Sequence, residues 1–211
     1  MRRALLLLLS LALGCTLAGC GSSTSATDGG SGGGGGAGGG GTSVDVDTAA
    51  LRHQRAQAGI EPCRAGTSHN QLPDVTLPCL GGRQSVDLAR LRGPLVVNLF
   101  AQWCGPCRGE LPFYQRLHRE SKGKLQVLGV DFLDTQPARA LALAGQTGVT
   151  YPLLADPDGR LRGYRGIGRG LPGIVLVDRT GAVVAVQFRV VRSYAELRGL
   201  VQQQLHVHLP A

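Results

Sequence analysis

Cys104 and Cys107, in the run Trp103-Cys104-Gly105-Pro106-Cys107, are the residues of this chain whose type and spacing most directly specify chemistry. The apolar run Pro94 to Ala101 before them predicts a buried strand, and Arg108 to Ser121 after them predict a helix. At that helix's N-terminus the Cys104 sulfur would feel the positive end of the dipole and unpaired backbone N–H groups, which favour thiolate over thiol. A thiolate there attacks disulfides, and Cys107, one turn further in, resolves the mixed disulfide that forms. Half a zinc site has the same spacing. No second Cys or His pair follows at ligand spacing, however, and the strand–motif–helix order favours a redox dithiol over a metal site or a purely structural bridge. His206 and His208 are a weak chelating pair near the terminus, so the sequence calls for neither a metal nor a cofactor.

Gly105 and Pro106 shape the turn between the sulfurs, and Pro106 removes one backbone N–H from the helix start. Less stabilisation of the Cys104 thiolate makes the pair more reducing, because a stabilised reduced form is what makes an oxidant. Glu110, three residues past Cys107, has two readings. It is either a solvated acid welcomed by the helix dipole or a partly buried one with a raised pKa that moves the resolving sulfur's proton.

The elements that must hold this dithiol follow from the pattern around it. Ala49 to Gly59 predicts a short helix in a lead-in segment, residues 46–70. Val75 to Leu77 and Gln84 to Asp87 flank Gly81-Gly82 and predict a hairpin. Leu125 to Val130 predicts a second buried strand and Gln136 to Gln146 a helix, with Pro137 near its start and Gly148 beyond its end. Pro152 to Ala155 predicts a short strand and Asp158 to Tyr164 a short helix. Ile174 to Val177 and Ala182 to Phe188 predict an antiparallel hairpin, and Ser193 caps a last helix that runs to about Leu205. The body of the chain, residues 71–211, is thus one α/β domain of ordinary size.

The N-terminal segment, residues 1–19, reads as a signal sequence. Arg2 and Arg3 precede an apolar run, Ala4 to Leu13, too short for a confident membrane span. Leu17-Ala18-Gly19-Cys20 resembles the lipobox of bacterial lipoproteins, which implies lipid on Cys20. An ordinary secretory cleavage or an uncleaved anchor is the alternative. Residues 20–45 are dominated by Gly and Ser and read as a flexible tether. About 24 such residues reach roughly 25–30 Å.

Six cysteines, less Cys15 in the signal and the acylated Cys20, leave two pairs. Cys63 and Cys79 read as a structural disulfide suited to an oxidising compartment. The other readings are internal exchange with the active dithiol, or free thiols. The formal charge of +8 is scattered, with few aromatics between the basic residues, so no nucleic-acid surface is expected.

Several residues together resemble a known family. They are the strand, Trp-Cys-Gly-Pro-Cys and helix, Pro112 five residues past the second Cys, and Gly170-Leu171-Pro172 before a strand. These resemble the thioredoxin fold and, more narrowly, the membrane-tethered TlpA/ResA-like thiol–disulfide oxidoreductases. Asn98 stands where cytoplasmic thioredoxins carry a buried Asp. The long step from Cys104 to Pro172 leaves room for a strand–helix insertion, and Glu110 matches an acid that ResA-like proteins place beside the dithiol. The resemblance implies a central mixed β-sheet flanked by helices, with an N-terminal β-hairpin. It also implies a cis Pro172 whose neighbour Leu171 pairs with bound peptide, and a Trp103 that lies over the site. Gln102 and Gly173 depart from the commoner residues at their positions.

The function implied is reduction of disulfides in exported proteins at the membrane surface. Apocytochrome c is one substrate class, and electrons arrive from a membrane thiol carrier. The competing readings are an oxidase or isomerase, a Cu(I) metallochaperone using Cys104 and Cys107, and a peroxide reductase. The copper reading lacks a His near Arg169-Gly170-Leu171, and the peroxide reading lacks a Thr-x-x-Cys setting.

Overall fold

The computed structural model describes residues 44–209, so the signal segment, Cys15, Cys20 and almost all of the tether lie outside the described residues. In chain order the elements are α1 (Ala49–Gln57), β1 (Thr76–Pro78), β2 (Ser85–Asp87), β3 (Leu95–Phe100), α2 (Gly105–Ser121), β4 (Gln126–Phe132), α3 (Pro137–Gln146), β5 (Leu153–Asp156), β6 (Gly173–Val177), β7 (Val183–Gln187) and α4 (Tyr194–Leu205). Among the described residues no helix is long and apolar enough to cross a membrane.

The strands with continuous apolar runs take the interior of the sheet, where both faces are covered. Every residue of β3 is buried. It pairs in parallel with β4 and antiparallel with β6, giving the mixed order β5-β4-β3-β6-β7. The strand–helix insertion between β4 and the close of the domain is α3 followed by β5, which lies parallel to β4 at the sheet edge. β1 and β2 form the expected antiparallel hairpin, with Leu77 opposite Val86, and Cys79 bridges to Leu154 so that the hairpin attaches to β5.

Alternation along β3 sorts the core into two layers. Val96 and Phe100 face a layer built with Leu111, Tyr114 and Leu117 of α2, Leu141 of α3 and Val201 of α4. Leu95, Val97 and Leu99 face the other, with Leu77 and Val86 of the hairpin and Leu161 and Ile167 of the loop after β5. Burying such side chains contributes about 1.5–3 kcal/mol each.

Helix starts follow local chemistry. Thr48 Oγ1 accepts from the Leu51 N–H at 3.2 Å, Ser193 Oγ accepts from the Glu196 N–H at 3.2 Å, and Pro137 opens α3 in its first turn. The lead-in packs on the body: α1 lies against α3, and a disulfide joins Cys63 to Cys79 with Cα atoms 6.1 Å apart.

The expected helix at Asp158 to Tyr164 is absent. The chain there makes turns and a single 3₁₀ turn at Tyr164–Gly166. The Asp156 carboxylate accepts from the backbone N–H groups of Arg160 and Leu161 at 2.7 and 3.0 Å, offering the backbone an alternative to helix. Gly159, Gly163 and Gly166 all take positive φ, which an α-helix does not allow.

Candidate active site

β3 delivers the dithiol to the end of the sheet. Ala101 closes the strand, and its carbonyl accepts from the Cys104 N–H at 3.1 Å, turning the chain into α2. Cys104 is the N-cap of that helix, and its Sγ accepts from the Cys107 N–H at 3.3 Å. The helix therefore begins at Gly105, ahead of the run Arg108 to Ser121, and Cys104 stands at its N-terminus as the sequence predicts. Pro106 fits the first turn, where a missing N–H breaks no helical bond, and Gly105 and Pro106 are exposed. Cys104 and Cys107 are joined as a disulfide with Cα atoms 5.4 Å apart.

In the bridged form Cys104 is 4% exposed against 1% for Cys107, and both sulfurs belong to the apolar layer under α2. Trp103, expected to lie over the site as a lid, is 56% exposed. Its Nε1 donates to the Leu133 carbonyl at 3.3 Å, which holds the ring toward the loop after β4 and leaves its apolar surface facing solvent.

Glu110 is buried beyond the first turn of α2. Its Oε1 accepts from the Val191 N–H at 2.6 Å, and Oε2 is buried without a partner. Burial raises its pKa to about 7; the Val191 N–H opposes this and the Glu196 charge adds to it. Of the two sequence readings, the geometry has the buried acid. Tyr114, one turn on, is fully buried with its pKa driven up by burial and by the Glu110 charge.

Leu171–Pro172 is a cis peptide, Pro172 is buried, and Leu171 is half-buried against both layers. Asn98 is buried, and its Nδ2 donates to the Tyr151 hydroxyl at 3.3 Å. His206 and His208 are exposed past α4, and no cluster of metal-ligating side chains occurs among the described residues.

The sequence reading missed a clamp on the residue before Trp103. The Gln102 N–H donates to Asp134 Oδ2 at 2.7 Å, while the Gln102 carbonyl accepts from Arg108 Nε and Nη2 at 3.2 and 2.7 Å. The two peptide units that flank Gln102 in the active-site loop are thus each fixed by a side chain. Asp134 Oδ1 also accepts from the Gln136 N–H at 2.9 Å, so the same carboxylate shapes the loop into α3. Asp131, opposite Phe100 in the sheet, is buried beside it, with its pKa raised first by burial and then by Asp134. Two aspartates closing an apolar strand were the available signal, since carboxylates at such a position need partners to be buried.

Comparison with known proteins matches this geometry. Residues 69–186 match the AhpC/TSA family. The chain is 32% identical over 116 residues to the thioredoxin-like protein YneN of Bacillus subtilis (strain 168), an alignment covering 54% of this chain and 66% of that one. It is 33% identical over 138 residues to the thiol:disulfide interchange protein CycY of Rhizobium leguminosarum bv. viciae, covering 64% of each. The matched region thus spans a little under two thirds of these relatives. Among solved structures, MTB DsbF in its mixed oxidized and reduced forms superposes with a TM-score of 0.56 at 26% identity, covering 62% of this chain and 95% of that one.

Proposed function

Since this chain belongs to the AhpC/TSA family, within its TlpA/ResA-like thiol–disulfide oxidoreductases, we propose that it exchanges the Cys104–Cys107 dithiol with disulfides of exported proteins, as a reductant. The observation that carries this reading is Cys104 at the N-cap of α2, with its sulfur already accepting the Cys107 N–H. That position favours a thiolate when the pair is reduced.

In the reductive direction the Cys104 thiolate attacks one sulfur of a substrate disulfide. A Cys104–substrate S–S bond forms, the substrate S–S bond breaks, and one substrate thiolate leaves. Cys107, its proton passed to the ionised Glu110 carboxylate, attacks Cys104 Sγ. The intramolecular disulfide forms and the second substrate thiolate departs. Two electrons have then moved to the substrate, and a membrane thiol carrier returns the protein to its reduced form. Leu171 pairs its backbone with the bound peptide beside Pro172. Apocytochrome c is the substrate class suggested by the TlpA/ResA likeness.

The same proposal places the domain outside the cytosol, held to the bilayer by lipid on Cys20 with residues 20–45 as the tether. The support is the Leu17-Ala18-Gly19-Cys20 sequence and the composition that follows it. Cys20→Ala should release the protein from the membrane fraction, and retention there would remove the anchor.

The test of the chemistry is trapping. Full-length Cys107→Ala should hold exported proteins as mixed disulfides on Cys104, identified by mass spectrometry. An absence of adducts, together with failure to reduce insulin, would overturn the mechanism. A measured potential in the range of strong oxidants would reverse the direction and favour an oxidase or isomerase.

A further inference from the structure

The second disulfide has an unusual neighbour. Arg55 of α1 is buried, and the ion pairs among the described residues involve Arg52, Arg116, Arg189 and His118 but not Arg55. Its Nη1 donates to the Leu80 carbonyl at 2.8 Å and lies 3.3 Å from Cys79 Sγ. Its Nη2 donates to the Glu61 carbonyl and lies 3.8 Å from Cys63 Sγ. A buried cation with no anion is unfavourable, and burial accordingly depresses the Arg55 pKa.

Reduction would supply the missing anion, since a thiolate at Cys79 would pair with the guanidinium already beside it. The other sulfur is equally provided for. Cys63 Sγ lies 3.3 Å from the Leu153 carbonyl oxygen, which accepts an S–H once the bond opens. Each sulfur already faces the partner its reduced form needs.

Both cysteines are 2% exposed, but Cys63 lines a cavity of about 640 Å³ together with Arg64, Arg92 and His118, whereas Cys79 does not line it. We propose that Cys63–Cys79 is a second exchangeable disulfide, opened by low-molecular-weight thiols that enter this cavity, with Arg55 as the counter-ion of the thiolate released. The entering thiolate attacks Cys63 Sγ, a mixed disulfide forms there, and Cys79 leaves as a thiolate onto Arg55. A second thiol attacks the mixed disulfide, releases the small-molecule disulfide and leaves its proton on Cys63. Two thiols are oxidised and one protein disulfide is reduced, with one proton released to solvent. Closure of the loop from Cys63 to Cys79 favours the bond, and the Arg55–thiolate pair opposes it.

The test uses full-length protein carrying Cys104→Ser and Cys107→Ser, so that failure of the active dithiol does not affect it. Equilibration in glutathione buffers, with alkylation at Cys63 and Cys79 read by peptide mapping, gives the midpoint. Arg55→Gln should require a glutathione ratio at least tenfold more reducing to open the bond, a shift of about 30 mV. An unchanged midpoint, or a shift the other way, would overturn the proposal. Should Arg55→Gln not fold, the reduced protein with Arg55 intact still decides the matter. Cys79 alkylation by iodoacetamide should titrate below the free-thiol value of about 8.5 and Cys63 should not. Titration of Cys79 at or above that value, or an early glutathione adduct on Cys79 in place of Cys63, would refute it.

Discussion

The backbone N–H of Val191, in the segment leading into α4, donates to Glu110 Oε1 at 2.6 Å, while the other oxygen of that carboxyl is buried without a partner. A carboxyl so placed, with its pKa raised to about 7, exists in both protonation states near neutrality. In the proposed mechanism only the ionised form accepts the Cys107 proton, so the resolving step should accelerate as pH rises through about 7. Glu110→Gln keeps the acceptor for Val191 and removes the titration. Stopped-flow exchange across pH 5 to 9 should lose that inflection in the variant, with the resolving rate lowered about 10²-fold above neutrality. An identical profile in both proteins would exclude Glu110 from proton transfer.

The same carboxyl links pH to stability. Below about pH 4.5 Glu110 is neutral whether the chain is folded or not. As pH rises past that value the unfolded chain ionises first, binds fewer protons than the folded one, and folding weakens until the folded pKa of about 7 is passed. The loss is on the order of 3 kcal/mol. Urea unfolding of oxidised protein should show Glu110→Gln gaining on the parent between pH 5 and pH 8. A constant difference between the two would mean that the acid is not neutral in the fold.

Asp134 fixes the active-site loop through Gln102 and the start of α3 through Gln136. Asp134→Ala leaves the N–H of the buried Gln102 without an acceptor, which costs about 1–3 kcal/mol, whereas the N–H of the exposed Gln136 can turn to water. The variant should therefore melt several degrees lower and exchange disulfides about tenfold more slowly, because Cys104 sits two residues beyond the Gln102 that Asp134 holds. Asp134→Asn retains one carbonyl acceptor and should recover part of the stability. Calorimetry beside an insulin-reduction assay measures both quantities. Full activity in Asp134→Ala would show that the loop holds its shape without this carboxylate.

Much of this architecture was legible because it rests on local pattern. The nearly continuous apolar runs read at Leu95–Phe100 and Leu125–Val130 became the central strands β3 and β4, and Ser193 capped α4 as its type demands. Cys104 and Cys107 were readable because their chemistry depends on a spacing of three. The misreadings have different physical origins. Asp158 to Tyr164 contains residues compatible with helix, but the Asp156 carboxylate captures the first N–H groups and glycines at positive φ turn the chain away. The Asp134–Gln102–Arg108 clamp joins three segments by tertiary contact, for which spacing carries no signal. Glu110 could be either solvated or buried until the segment carrying Val191 was seen to cover it.

Trp103 offers the sharpest separation of partner recognition from chemistry. It is 56% exposed, directly precedes Cys104, and donates its Nε1–H to the Leu133 carbonyl. Removing such a side chain should change stability by about 0.5 kcal/mol or less, since little packing is lost. In the proposed exchange the apolar ring is nevertheless the surface that a protein substrate would meet as its disulfide approaches the site, and an exposed indole beside a reactive group contributes contact area at little entropic cost. Trp103→Ala should therefore raise KM for a folded protein substrate about tenfold while leaving the rate with a small disulfide such as oxidised dithiothreitol within twofold, a change of about 1.4 kcal/mol in binding. Equal losses with both substrates would place Trp103 in the chemistry of the dithiol, and equal retention would remove it from recognition.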